Sequence, residues 1–239
     1  MQLIRSYALW TMYSLGSLLV CVWMAWHLTA QANFFYPTWY SVLDINQTIE
    51  QTMPKHLYKK NFVVTDQEEH FRLFAEIVNA IQNRGRGLEE IVYYSPQGNL
   101  LGQLLTENEI IHLQDVANLV NLLGWYSIAF ILMCLIILSA CIFFRIRMPA
   151  FKQLCYSMIA TVLVCSLSIL MIGAKQFFYW LHTVVFPKNH QWFFYYEESL
   201  MSTLMKAPDL FAPISVLIIV VGMIIWIIHI FLIKQIRWI

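Results

Sequence analysis

The sequence predicts an all-α polytopic membrane protein with four transmembrane helices and a small mixed α/β extracytoplasmic head between spans 1 and 2. Composition is the first reason: 59% of the 239 residues are hydrophobic and only 12% are charged, whereas soluble domains are about 25% charged. The second reason is that the charged residues avoid four long apolar stretches. The net charge of +1 gives no reason to expect a nucleic-acid partner.

Four stretches are long enough to cross a bilayer, because about 20 apolar residues in a helix span a hydrocarbon core ~30 Å thick. None of them contains Asp, Glu, Lys or Arg, and they cover residues 8–29, 119–144, 153–174 and 211–233. Backbone polar groups in lipid must satisfy their own hydrogen bonds, so each stretch is predicted to be a helix. Residues 30–32, Ala-Gln-Ala, resemble a signal-peptide cleavage site, but the length of the first stretch favours a retained anchor.

The distribution of Lys and Arg predicts the orientation. Segment 30–118 carries eleven acidic residues against six basic ones. The cations near the ends of the four stretches have no acidic residue beside them: Arg5, Arg145, Arg147, Lys152, Lys234 and Arg237. We therefore expect a multi-pass protein with both termini and the 145–152 link in the cytoplasm and the head outside; in a bacterium, its membrane would be the inner (cytoplasmic) one.

This topology predicts five regions. They are an N-terminal anchor span (1–29), the extracytoplasmic head (30–118), spans 2 and 3 with their cytoplasmic link (119–174), an external aromatic-rich segment (175–210), and span 4 with the cytoplasmic C-terminus (211–239).

Local patterns predict elements within the head. Thr65 and Glu68 form a capping box that predicts a helix start, and the helix has an apolar face at helical spacing: Phe71, Phe74, Val78 and Ile81. Segments 91–94 and 100–105 flank a Ser-Pro-Gln-Gly turn and predict a small hairpin. A second capping box, Thr106 with Glu109, predicts a helix that runs without a break into span 2.

Two of the seven histidines stand out for their neighbours. His112 and Asp115 are three residues apart on one predicted helix face, and a carboxylate beside an imidazole can fix its tautomer. His182 lies in an aromatic run at the end of a span, where an ionisable group is a functional hypothesis by default. We expect these two imidazoles to converge near the outer leaflet, and we expect His56 and His70 to be solvated.

The sequence offers no Gly-x-Ser-x-Gly elbow, and all five cysteines lie in the predicted spans. A catalytic site at the two histidines would therefore draw its nucleophile from the substrate or from water.

The residues around the two histidines resemble the motifs of the lipoprotein intramolecular transacylase (Lit) family of bacterial four-span membrane proteins. The first block reads Glu109-x-x-His112-Leu113-x-Asp115-Val116. The second block matches in order at Leu181-His182, Phe186, Trp192-Phe193-Phe194, Glu198 and Pro208. Leu181 stands where the family usually has Phe, and Glu198 where it usually has Asp. The resemblance covers nearly the whole chain by topology, but its motifs are two short blocks.

The resemblance implies a membrane acyltransferase without a cofactor. Its members move an acyl chain from the sn-2 ester of a diacylglyceryl-modified cysteine to the α-amine of that cysteine, which gives a lyso-form lipoprotein. The implied partners are membrane phospholipid and a diacylglyceryl lipoprotein substrate. By resemblance and local spacing, His112 would be the general base, oriented by Asp115. His182 would stabilise the oxyanion or shuttle the proton. The lipid pocket would be shaped by Trp192, Phe194 and Phe186.

Two other classes of function stay open at this point. A membrane metallohydrolase could use nitrogen and oxygen donors from four residues: His112, Asp115, His182 and His190. A non-catalytic lipid- or lipoprotein-binding protein would need the aromatic surface near Trp192 but not His112.

Overall fold

The computed structural model describes residues 2–235, with side chains from residue 5 onward. Arg237 and the rest of the predicted cytoplasmic C-terminus lie outside the described residues. The helices are α1 (Gln2–Gln31), α2 (Tyr36–Val42), α3 (Ile45–Thr52), α4 (Gln67–Gln82), α5 (Glu107–Phe143), α6 (Phe151–Ile172), α7 (Ala174–Val185), α8 (Leu200–Leu204) and α9 (Phe211–Lys234). The strands β1 (Val92–Tyr94) and β2 (Leu100–Gln103) pair antiparallel, so the predicted hairpin is confirmed.

Four helices, α1, α5, α6 and α9, are long and apolar enough to cross a membrane, as predicted. With 37 residues, α5 is about 55 Å long, against a hydrocarbon core of ~30 Å. Its apolar part, residues 119–143, is long enough to span, and its first three turns precede that part. The predicted start of α5 is also confirmed, because the carboxylate of Glu109 accepts a hydrogen bond from the backbone N–H of Thr106 at 2.6 Å.

The described chain divides into two compact units. The first contains residues 2–28, 123–174 and 216–235, and the second contains residues 29–122 and 175–215. In the first unit, α1 and α9 pack closely at Gly222, where a Cβ atom would lie 2.9 Å from Val22 Cγ2. The indole of Trp226 donates to the carbonyl oxygen of Ser14 and to Ser17 Oγ, both at 3.1 Å. Small residues at such contacts let membrane helices approach closely.

The second unit is built around α4. Its buried face consists of Leu73, Phe74, Ile77 and Val78 with smaller neighbours, whereas Phe71 and Ile81 are only partly buried. The helix is capped one residue later than the predicted Thr65, because the side chain of Asp66 accepts the backbone N–H of Glu69. Thr65 instead donates to the carbonyl oxygen of Phe62, so its hydroxyl is engaged elsewhere.

Both edges of the hairpin are covered by side chains from the same unit. On β1, Arg72 donates to the carbonyl oxygen of Val92 and Glu69 accepts the N–H of Tyr94. On β2, Lys59 donates to the carbonyl oxygen of Gln103. Because unpaired strand edges are templates for further pairing, these contacts close the small sheet.

The prediction that His56 and His70 are solvated is wrong: they are 0% and 2% exposed. The ring of His70 bonds Tyr40 Oη at Nδ1 and Thr65 Oγ1 at Nε2, each at 2.8 Å. The Nδ1 atom of His56 accepts the backbone N–H groups of Tyr58 and Lys59. These hydrogen bonds make it possible to bury the two imidazole rings. Burial lowers the pKa of His70 to about 4 and also lowers the pKa of His56.

We predict an acid-sensitive contribution to stability from His70. Its pKa is about 4 when folded and ~6.5 when unfolded, so only the unfolded chain binds a proton between these values. The contribution is complete above pH ~6.5 and is lost as the pH falls toward 4, by about 2 kcal/mol at pH 5. Thermal unfolding of the purified protein in detergent between pH 7.5 and 5 measures this loss.

The variant His70→Gln should be less stable at pH 7.5 but should show a shallower decline toward pH 5. The slope that remains comes from the other histidines whose pKa burial lowers, His56 and His182 among them. His27→Gln is the matched control, because His27 is exposed on α1 and contacts Trp23. An undiminished slope in His70→Gln would show that His70 is not the group responsible.

Candidate active site

The first turns of α5 carry His112 on a helix start that is held by a buried carboxylate. Glu109 is 0% exposed, and its Oε2 atom accepts both the backbone N–H and the hydroxyl of Thr106, at 2.6 and 2.8 Å. Its Oε1 atom accepts the hydroxyl of Ser199. Three donors thus satisfy the hydrogen-bonding capacity of a carboxylate that water does not reach. His112 lies one turn further along α5.

The second histidine, His182, lies on α7 and is oriented by its own helix. Its Nδ1 lies 2.8 Å from the carbonyl oxygen of Phe178, one turn earlier. Because a carbonyl oxygen can only accept, Nδ1 carries the proton, and Nε2 of the neutral ring is left as a proton acceptor. The hydrogen bond therefore fixes both the tautomer and the direction of the ring.

The structure brings the two predicted imidazoles together. The ring centroids of His112 and His182 are 6.0 Å apart, with the planes tilted by 35°. Phe186 contacts both rings, at 5.0 Å from His112 and 5.1 Å from His182. Trp192 lies 5.1 Å from His182, and Phe194 lies 6.0 Å from His112. The three predicted pocket residues thus surround the histidine pair.

His112 is buried and His182 is partly buried, and this affects the charge that each ring carries. Burial lowers the pKa of His182, although the hydrogen bond to the Phe178 carbonyl partly opposes the shift. His112 is 8% exposed, and its Nδ1 atom is buried without a hydrogen-bond partner among the described residues. Burial disfavours the charged form of an imidazole. A neutral imidazole can take a proton, so the pair can act in acid–base chemistry.

Asp115 does not hydrogen-bond to His112. Its carboxylate accepts from Nδ1 of His190 at 2.6 Å, and the two side chains are 14% and 32% exposed. The i, i+3 spacing places Asp115 on the same face as His112, but helix geometry does not aim one side chain at the other. An imidazole from the segment after α7 bonds the carboxylate instead.

Sequence reasoning named His190 only as a metal donor and Glu109 only as a helix cap and motif residue. The signal for His190 was its place in a turn after an aromatic helix, next to Pro187 and Asn189. Such a turn does not show which residue its ring will meet. Within the part of the chain that the structure describes, no group of three or more His, Cys, Asp or Glu side chains is arranged to hold a metal ion.

The four apolar helices and the paired imidazoles define a membrane-embedded protein with a histidine-based candidate active site. The family described as "Lipoprotein intramolecular transacylase Lit" matches residues 11–211, so the chain belongs to this family. It is therefore a lipoprotein intramolecular transacylase, an acyltransferase of lipoprotein modification in a bacterial membrane. The family assignment overturns the non-catalytic alternative. A comparison with curated proteins gives no match.

Among solved structures, the fold is similar to that of the membrane integral lipoprotein intramolecular transacylase Lit from Bacillus cereus, determined in meso with one histidine mutated to arginine. The TM-score is 0.65 at 14% sequence identity, and the match covers 98% of this chain and 94% of the other. At this identity the likeness supports the membrane fold and not individual residue roles.

Proposed function

We propose that the chain transfers an acyl group from the sn-2 ester of a diacylglyceryl-cysteine to the α-amine of the same cysteine, with His112 as the general base. The observation that carries the proposal is the 6.0 Å separation of the His112 and His182 rings inside one aromatic cluster. Because the amine and the ester belong to one substrate molecule, the reaction needs no nucleophile from the protein. Tethering of the two reacting groups itself supplies much of the rate acceleration.

The reaction needs one proton moved between two atoms of the substrate. The amine nitrogen attacks the carbonyl carbon of the sn-2 ester, a C–N bond forms, and the bond from that carbon to the sn-2 oxygen breaks. The proton lost by the amine is finally taken by the sn-2 oxygen, which leaves as an alcohol. A free α-amine has a pKa of ~8 and is largely protonated at neutral pH, so a base must first remove an additional proton from the ammonium form, and this proton passes to solvent.

We assign the two histidines complementary parts in this proton movement. His112 accepts the proton from the amine. His182 relays this proton: its Nδ1–H is bonded to the Phe178 carbonyl, so its free Nε2 accepts the proton and then donates it to the leaving oxygen. The tautomer favours proton shuttling over oxyanion stabilisation, since a neutral His182 has no second N–H to offer the oxyanion.

The aromatic rings around the pair are proposed to hold the lipid and exclude water. Phe186 lies against both imidazoles, while Trp192 and Phe194 each cover one of them. These rings offer apolar surface for the acyl chain and the glyceryl group at the reacting atoms. A dry site also limits attack by water on the ester, which would release a free fatty acid instead of transferring the chain.

The proposed placement in the bacterium follows from charge. Arg5, Arg145, Arg147 and Lys152 flank the apolar helices without acidic neighbours, which favours the cytoplasmic side. We therefore propose an inner-membrane protein whose residues 30–118 and 175–210 face outward. Membrane phospholipid would surround the enzyme, and a diacylglyceryl lipoprotein would be its substrate.

We predict that His112→Gln abolishes nearly all transfer at pH 7 because the amine keeps its proton. Mass spectrometry of the N-terminal peptide of a model lipoprotein measures the lyso-form product. Residual transfer by the variant should rise with pH through ~8, where the amine loses its proton to solvent. The matched control is His27→Gln, which should behave as the unmodified enzyme.

The general-base assignment fails if His112→Gln forms lyso-form product at the normal rate. It also fails if the residual rate of the variant stays flat through pH 8, since the missing step would then not be removal of the amine proton.

A second prediction concerns Phe186, the ring shared by both histidines. Phe186→Ala should lower the transfer rate by 10- to 100-fold, because a misplacement of ~1 Å in a catalytic site can cost about 10²-fold. Phe186→Leu keeps much of the apolar volume and should retain most of the rate. The same lipoprotein assay, with free fatty acid measured in parallel, should show more hydrolysis in Phe186→Ala. Equal transfer rates for Phe186→Ala and Phe186→Leu would show that Phe186 does not shape the pocket.

A further inference from the structure

Three polar contacts hold the segment 187–199, here called the strap, against the first turns of α5. Ser199, at the C-terminal end of the strap, donates its hydroxyl to the buried Glu109. Near the N-terminal end, His190 donates to Asp115 at 2.6 Å. Asn108 adds a hydrogen bond to the side chain of Gln191 at 3.1 Å. The strap is therefore tied to α5 at both ends.

The rings that cover the two histidines lie between these ties. Trp192 and Phe194 both follow His190 and precede Ser199, and they contact His182 and His112 respectively. The strap itself has no regular secondary structure between residues 191 and 195. Over these residues its contacts with α5 come from side chains, whereas further along the strap the carbonyl oxygen of Glu197 accepts the backbone N–H of Leu57 at 2.9 Å.

The two carboxylates reach the strap from opposite sides of His112. Glu109 lies three residues before His112, and Asp115 lies three residues after it, on the same helix face. Neither has a hydrogen bond to either imidazole among the described residues. Both instead bond groups on the strap, so they act on the site through the strap.

We propose that Glu109 and Asp115 are positioning residues, which hold the strap across α5 and so place Trp192 and Phe194 over the two imidazoles. The proposal rests on the proposed function, because it assigns chemistry to that histidine pair. In this role neither carboxylate transfers a proton. Asp115 fixes the strap, and Glu109 fixes both the start of α5 and the start of α8. At α8, Ser199 donates to Glu109 and accepts the backbone N–H of Ser202 at 2.9 Å.

The test combines hydrogen exchange with transfer kinetics on the full-length enzyme in detergent or nanodiscs. His190→Gln and Glu109→Gln each weaken one tie. Backbone amides of residues 187–199 should exchange faster in both variants, whereas those of α4 should not change. The kcat for transfer should fall 10- to 100-fold with little change in KM, because the acyl chains still bind while the covering rings are misplaced.

Two further variants sharpen the result. In the double variant His190→Gln with Asp115→Asn, the effects should not add, since both changes remove the same tie. Glu76→Gln is the matched control, because the carboxylate of Glu76 is 40% exposed and pairs with Arg72 on α4. It should leave both exchange in the strap and kcat unchanged.

The proposal is overturned if exchange in 187–199 is unchanged in both tie variants, or if it rises while kcat stays normal. An equal rise in α4 would also overturn it, because the carboxylates would then support the whole fold and not the strap. If Glu109→Gln does not fold, His190→Gln decides alone. Hydrogen exchange in the strap does not depend on the mechanism of acyl transfer. Failure of the general-base assignment is therefore seen in a different experiment, as full activity of His112→Gln.

Discussion

The site depends on the packing of aromatic rings around two imidazoles. His112 and His182 come from different helices, and Phe186 lies within about 5 Å of both ring centroids. An imidazole removed from water is more stable in its neutral form, and a neutral imidazole is the form that can accept a proton. The rings therefore do two things at once: they hold the pair in place, and they keep it ready for acid–base chemistry.

The length of α5 fixes where this chemistry takes place. His112 lies seven residues before the apolar part of α5, which places it about 10 Å along the helix axis from Leu119. Because the helix is continuous, this distance along its axis is fixed. The proposed function uses this offset, because a substrate anchored in lipid by its acyl chains would carry its ester and amine at the boundary.

Patterns that repeat along the chain predicted most of the fold, whereas contacts between distant segments were predicted poorly. The four spans followed from apolar length, and the start of α5 followed from Thr106 and Glu109, because both signals are local. The burial of His70 was missed because its partner Tyr40 comes from elsewhere in the head. His56 bonds the nearby backbone of Tyr58 and Lys59, and its burial was missed because the sequence does not show which segments cover it. The partner of Asp115 was missed for the same reason: spacing places a side chain on a face but does not show what packs against that face.

The hydrogen-bond partners of the two carboxylates on α5 shape the surroundings of the histidine pair. A carboxylate beside an imidazole favours the protonated form of the ring and so strengthens it as a base. Asp115 instead accepts a hydrogen bond from His190, and Glu109 accepts hydrogen bonds from Thr106 and Ser199. Each carboxylate must have donors because it is withdrawn from water, and its donors come from the groups that frame the site. The contacts that make the burial of these two charges tolerable are thus the same contacts that bring the covering rings over the imidazoles.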